Sequence, residues 1–208
     1  MYSSNFLKAV FGVLAASAIA FGQPSTYEID TAHSSAQFSV RHLMISNVKG
    51  EFSKVTGTIL YDPKNLSASK IDAVIDANTI STRDAKRDEH LKSADFFETA
   101  KYPTLQFKSQ EFKRTNGKLQ IKGALTIHGV TKDVVLDVDG PTPEIKDPWA
   151  LTRVGATATT KINRKDWGLT FNSVLETGGV AIGDEVLITL DIEATKKTGT
   201  TNVSKAAR

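Results

Sequence analysis

Apolar and polar positions alternate residue by residue along most of the chain. A period of two marks strands that bury one face. Phe38 and Val40 alternate with Ser39 and Arg41, and Val55, Gly57, Ile59 and Tyr61 with Thr56, Thr58 and Leu60. Ile71, Ala73, Ile75 and Ala77 alternate with Asp72, Val74, Asp76 and Asn78; Leu105 and Phe107 open another run. Leu119, Ile121, Gly123, Leu125 and Ile127 share one side of the next, and Val134, Leu136 and Val138 face one way after it. Val154, Ala156, Ala158 and Ile162 follow. The cleanest run is the last: Val186, Ile188, Leu190, Ile192 and Ala194 against Leu187, Thr189, Asp191 and Glu193. Turn residues separate the runs. Asp62-Pro63-Lys64-Asn65 ends one, and Asn116-Gly117 suits a tight hairpin. His128-Gly129 divides two runs at such short range that they should pair antiparallel. Pro141, Pro143 and Pro148 mark a longer loop, and Gly178-Gly179 another.

One stretch breaks the alternation. Arg83 to Ser93 holds no Gly, Pro or β-branched residue, and Ser81 or Thr82 can cap it. It predicts a short, charged, mostly exposed helix anchored by Leu91, with Phe96 and Phe97 after it. Such a helix lies across an end of a sheet, not inside it. About eight half-buried strands with one helix predict an all-β fold, an extended closed antiparallel β-barrel. A sandwich uses the same alternation, but runs of about nine residues at about 3.3 Å each are long for one. Inward small residues (Gly57, Ala73, Gly123, Ala156, Ala158) either leave a cavity or offset bulky neighbours such as Phe38 and Phe107.

Composition narrows the functional classes. Of 208 residues, 26 are Lys or Arg and 23 Asp or Glu, a net charge of +3 too small and mixed for a nucleic-acid footprint. Cysteine is absent, which removes disulfides, thiolate metal sites and Cys nucleophiles. Lys8 precedes the apolar, small-residue run Ala9–Ala20, and Ala18, Ala20 and Gly22 suit signal-peptidase cleavage. Residues 1–22 are therefore expected to be a signal peptide, 23–195 the folded domain and 196–208 a flexible tail. No nucleophile elbow, phosphate loop, dinucleotide fingerprint or metalloprotease helix occurs. His33, His42, His90 and His128 stand at no metal-ligand spacing. No metal or cofactor is expected.

Five ordered segments stand out: Asp30–His42; Gly50-Glu51-Phe52 with Gly57-Thr58-Ile59; Arg87–Phe97 with Tyr102-Pro103 and Phe107; Gly123–Thr131; and Ile162–Leu169. Together they resemble the YceI-like family, the bacterial polyisoprenoid-binding proteins. Trp167 stands where the family often has Phe. The resemblance spans about Tyr27 to Lys196. It implies a lipocalin-like barrel, periplasmic or secreted, that holds an isoprenoid, isoprenoid quinone or other amphiphilic lipid without catalysis. It also implies possible homodimers and transient membrane contact for loading. Alternation and these segments together nominate a ligand-binding set: Phe38, Val40, Ile59, Ile75, Phe96 and Phe97, with Phe107, Leu125, Ile127, Ala158, Trp167 and Ile188. The competing expectation is an extracytoplasmic interaction module whose barrel is filled by its own side chains.

Overall fold

The computed structural model describes residues 24–174 and 180–197. The expected signal peptide, the Gly178-Gly179 loop and residues 198–208 of the expected tail lie outside the described residues. Twelve strands form: β1 (Ser25–Ile29), β2 (Ser35–His42), β3 (Ser46–Phe52), β4 (Val55–Tyr61), β5 (Lys70–Asp76) and β6 (Ile80–Ser81), then, after helix α1 (Ala85–Lys92), β7 (Thr104–Thr115), β8 (Lys118–Ile127), β9 (Val130–Asp139), β10 (Ile145–Lys146), β11 (Thr152–Asn163) and β12 (Ile182–Lys196). β12 runs to Lys196, and the Lys197 N–H donates to the Thr26 carbonyl.

Pairing reduces these to eight staves. β1 and β2 both run antiparallel to β12, end to end, and form one interrupted stave. β3 and β4 form the second, and β5 with β6 the third. Then β7, β8, β9, β11 and β12 follow, each antiparallel to the one before, and β12 closes the circle against β1 and β2. The result is the closed eight-stranded barrel that the alternation implied. A two-residue hairpin turn of type I′ needs positive φ at both positions. Asn116-Gly117 (φ 51° and 80°) and His128-Gly129 (φ 50° and 74°) supply it.

The interruptions in the first three staves lie side by side. Thr31–His33 and Ala77–Thr79 are single 3-10 turns, capped by Asp30 and Asp76 through the N–H groups of Ala32 and Asn78. The bends are stitched together. Thr31 Oγ1 donates to the Val55 carbonyl (2.9 Å), and the Asp76 N–H to the Lys54 carbonyl (3.0 Å). Ile29, Ala36, Val55 and Ala77, which flank the bends, are all buried. They make a packed waist that divides the lumen.

The helix forms where expected but starts later than Arg83. Asp84, not Ser81 or Thr82, caps it, accepting from the N–H groups of Lys86 and Arg87. Thr82 is otherwise engaged: its N–H and hydroxyl donate to Asp88, and Arg87 donates to its oxygens. α1 exposes Lys86 and Glu89 and lies over one barrel end. There the Phe97 N–H bonds to the Leu91 carbonyl, and the Phe97 ring meets Phe52 edge-on at 5.5 Å.

Outside the barrel, Arg153 on β11 joins the first and last staves. Its guanidinium donates to Asp30 (2.5 Å), Glu193 (2.6 Å) and Asp147 in the loop before β11 (2.6 Å). The cation, helped by His33, holds the Asp30 carboxyl down at about 2 and depresses Asp147 as well.

Candidate functional site

Among the described residues, one cavity lies on each side of the waist. The cavity under α1 has a volume of about 320 Å³ and is almost wholly apolar. That is the scale and character of a small-molecule site. β2 contributes Phe38 and Val40, β5 Ile75, β7 Phe107, β8 Leu125 and Ile127, and β12 Ile188. Phe96 and Phe97 roof it from the turn after α1. These nine nominated residues therefore share one chamber.

Three nominated residues lie elsewhere. Ile59, on β4, lines the second cavity, because β4 is the half of its stave beyond the waist. Ala158 pairs with Leu190 and Val138, is buried at the level between the cavities, and lines neither. Trp167 is 2 % exposed and packed in the core; its indole Nε1 donates to the Leu125 carbonyl at 3.1 Å. A buried indole N–H needs such a partner. This one ties the 3-10 turn Arg164–Trp167 against the barrel wall, where the β9–β11 ladder is only three residue pairs long.

The small inward residues divide between the two alternatives. Gly123 is not spare room. A Cβ there would stand 2.4 Å from Phe107 Cζ, so the Phe107 ring already covers it. Gly50 on β3 sits under Phe38 in the same way. Ala156 does line the second cavity.

Alternation missed part of the chamber. Phe52, Leu91 and Phe171 line it, as do Arg41, His42, Arg87 and His90. Arg87, His90 and Leu91 fall one turn apart on α1, the spacing that places helical residues on one face. That was the available signal. An aromatic group closes this end: His90 meets Phe96 and Phe171 edge-on at 5.1 and 4.9 Å. His90 Nε2 also contacts Asp95 at 2.7 Å.

Arg164 is buried and lines the chamber too, but its donors are spoken for. They reach the carbonyls of Leu169, Phe171, Ile182 and Gly183, and Asp184 at 3.5 Å. Desolvation lowers its pKa. Its work is to hold Leu169 and Phe171 beside Ile182 and Gly183 at the start of β12.

The second cavity, about 400 Å³, opens at the opposite end among Tyr27, Tyr61, Phe112, Pro141 and Ile192. Its charges are matched. The Tyr27 hydroxyl donates to Glu144 at 2.6 Å, and Lys196 pairs with the same carboxylate at 2.8 Å. Burial and Glu144 push the Tyr27 phenol up to about 12.

The histidines do not converge as a catalytic or metal cluster would. His42 and His90 line the first chamber; His33 pairs with Asp30 outside the barrel, and His128 with Glu98. Asp30, His33 and Glu193 do come within metal-binding range of one another. The guanidinium of Arg153 already supplies the cation there, between Asp30 and Glu193.

Comparison with known proteins agrees with this architecture. A family model described as the YceI-like domain matches residues 27–194. A UPF0312 protein of Vibrio cholerae is 42 % identical over 146 residues, 69 % of this chain and 77 % of that protein. BcnA of Burkholderia cenocepacia superposes with a TM-score of 0.68 at 21 % identity, over 80 % of this chain and 99 % of that one. A polyisoprenoid-binding domain from Saccharophagus degradans superposes with a TM-score of 0.60 at 17 % identity, over 82 % and 98 % of the two chains.

Proposed function

Because the chain belongs to the YceI-like domain family, we propose that it is a non-catalytic carrier of a long-chain amphiphile, an isoprenoid, isoprenoid quinone or similar lipid, held in the barrel lumen. The observation that carries this reading is the apolar chamber under α1, roofed by Phe96 and Phe97. A barrel filled by its own side chains, as an interaction module would have, leaves no such space. The polyisoprenoid-binding domain with the same fold points the same way.

Energetics suit a carrier. Each methylene sheltered from water contributes about 0.8 kcal/mol, so a long prenyl chain does not travel free. Moving it from bilayer to barrel exchanges one apolar medium for another, and the net change is small. Contact with a membrane for loading has a candidate surface. The β2–β3 hairpin tip, Leu43-Met44-Ile45, stands at the β2 end of the chamber with Ile45 77 % exposed.

The apolar run after Lys8 supports export to the periplasm or beyond by a cleaved leader. The test is native mass spectrometry of protein purified from its own host, with extraction of bound lipid and sequencing of the mature N-terminus. A stoichiometric amphiphile and a start between Phe21 and Gln23 are expected. Protein that retains no isoprenoid, quinone or fatty amphiphile would defeat the carrier reading. Full-length protein in the cytoplasm would defeat the export reading.

A further inference from the structure

Four of the large apolar side chains exposed among the described residues gather at one place. Leu43, Met44 and Ile45 form the tip of the β2–β3 hairpin, and Val174, 84 % exposed, stands beside it. Backbone bonds set them together: the Leu43 N–H donates to the Ala181 carbonyl (2.8 Å), and the Ala181 N–H to the carbonyl of Ser173, which precedes Val174 (2.9 Å). The turn at the tip is costly in itself. The Ile45 N–H bonds back to the His42 carbonyl (3.1 Å), with Leu43 and Met44 both left-handed at φ 50° and 62°. That conformation crowds the Cβ of any large L residue. The other tight hairpins give the second position to glycine, in Asn116-Gly117 and His128-Gly129. Here the chain forgoes both the favoured turn residues and the burial of its apolar side chains. Stability explains neither choice, whereas a surface that uses those side chains explains both.

Three observations identify what covers the patch. The first is continuity. His42 and Val48 of the same hairpin, with Ala181 and Ile182 beside it, line the chamber under α1. A bilayer pressed against the tip could therefore pass a lipid inward without exposing its chain to water. The second is charge. Arg41 and Lys49 are exposed on the outer face of the hairpin, and neither has a hydrogen bond or ion pair from its side chain among the described residues. Arg41 stands opposite Asn47 and Ser39 opposite Lys49, so the two cations are diagonal neighbours. The acids at the start of β12 are already matched, Asp184 by Lys165 (2.8 Å) and Glu185 by Lys161 (2.9 Å). Glu51, opposite Gln37, lies farther from the tip. The third is shape. The patch is the end of a hairpin and not a flat face, which suits entry among lipid head groups. There apolar insertion and attraction to anionic lipid act together.

We infer that the β2–β3 hairpin docks the barrel on an anionic phospholipid bilayer, with Leu43, Met44 and Ile45 entering the head-group region beside Val174 and with Arg41 and Lys49 resting on the anionic lipids. The inference rests on the carrier reading and adds the charge of the membrane and the residues that enter it.

Flotation of protein purified from its own host tests it, with vesicles of phosphatidylcholine alone or with about one third phosphatidylglycerol. Wild type should bind the anionic vesicles at least about tenfold more strongly, and the preference should shrink as salt rises. Leu43→Asn/Met44→Gly installs the residues that this turn favours. It should weaken binding to both vesicles at least about tenfold while raising the urea midpoint, so that misfolding does not explain the loss. Arg41→Gln/Lys49→Gln should cut the anionic preference below about threefold. Retention of a fluorescent prenyl probe without vesicles reads the carrier separately. Wild type and Leu43→Asn/Met44→Gly should retain it alike, while uptake of the probe from vesicles should slow in the variant. Wild type that retains the probe but binds neither vesicle overturns the membrane, leaves the carrier standing and makes the patch a face for a protein partner. Equal binding to both vesicles overturns the anionic partner, and an unchanged preference in Arg41→Gln/Lys49→Gln overturns the role of those cations. Unchanged binding by Leu43→Asn/Met44→Gly overturns the tip, and a fall in its urea midpoint overturns the strained turn. Failure of wild type to retain the probe defeats the carrier reading beneath.

Discussion

Replacing Gly50 by Ala tests how the chamber wall is built. A Cβ at Gly50 would lie 2.4 Å from Phe38 Cζ, 2.8 Å from Phe38 Cε1 and 2.8 Å from Thr82 Cγ2. Carbon atoms rest at about 3.5–4.0 Å, so the Phe38 ring must shift by roughly 1 Å or more. Overpacking of this kind costs about 1–3 kcal/mol. The backbone at Gly50 is not left-handed, so the loss of glycine's freedom in the unfolded chain returns about 0.4–1 kcal/mol. The net destabilisation expected is about 0.5–2 kcal/mol. The ring's free direction is the chamber, so lipid retention should fall as well. Leucine at position 38 has no atom where Cζ stands. In a Phe38→Leu background, Gly50→Ala should therefore keep only the Thr82 contact, and the cycle should show a coupling of about 1 kcal/mol. Urea denaturation of the four proteins measures it, with retention of a fluorescent prenyl probe alongside. A coupling below about 0.5 kcal/mol, with the same loss in both backgrounds, would refute the claim that Phe38 stands in for the missing side chain of Gly50.

Two further outcomes are expected. Trp167→Phe removes the indole donor from the Leu125 carbonyl in a packed site and should lower unfolding free energy by about 1–3 kcal/mol, read from the urea midpoint. Asp30 has a folded pKa of about 2, below its ordinary 3.8, so its ion pair with Arg153 stabilises the fold fully above about pH 4 and loses that contribution as pH falls toward 2. The urea midpoint should drop over that window in wild type by more than in Asp30→Asn, and an equal drop would remove Asp30 from the acid response.

The staves that could be read from the sequence are those that alternate without interruption. Apart from Gly123, β8 and β12 place an aliphatic residue inward at every second position, so both face and register follow. β3 carries no comparable signal, because its inward positions are Val48, Gly50 and Phe52, and Gly50 is apolar only through the ring of Phe38 above it. β1 offers two inward residues, Tyr27 and Ile29, before the chain bends. The bends depend on single caps, Asp30 and Asp76, and an aspartate among alternating residues reads as an ordinary exposed position. For the same reason alternation could say that Ile59 and Ile75 point inward but not that a waist separates them. Trp167 looked like a pocket aromatic because nothing local discloses that its N–H is needed by Leu125.

The closure of the barrel has a consequence for how the protein is made. From the second stave to β11, neighbours in space are neighbours in sequence, so each can zip onto the last as it leaves the ribosome. The final seam is different in kind. β12 must meet β11 on one edge and β1 with β2, from the far end of the chain, on the other. Joining ends so far apart has to overcome the loop entropy that makes high-contact-order folds slow. Until then the nascent meander is an open ribbon, with two unpaired rims and an uncovered greasy concave side, the form most prone to self-association. The last fifteen-residue strand is therefore the latch of the molecule, and the interval before it arrives is when a holding chaperone would matter most.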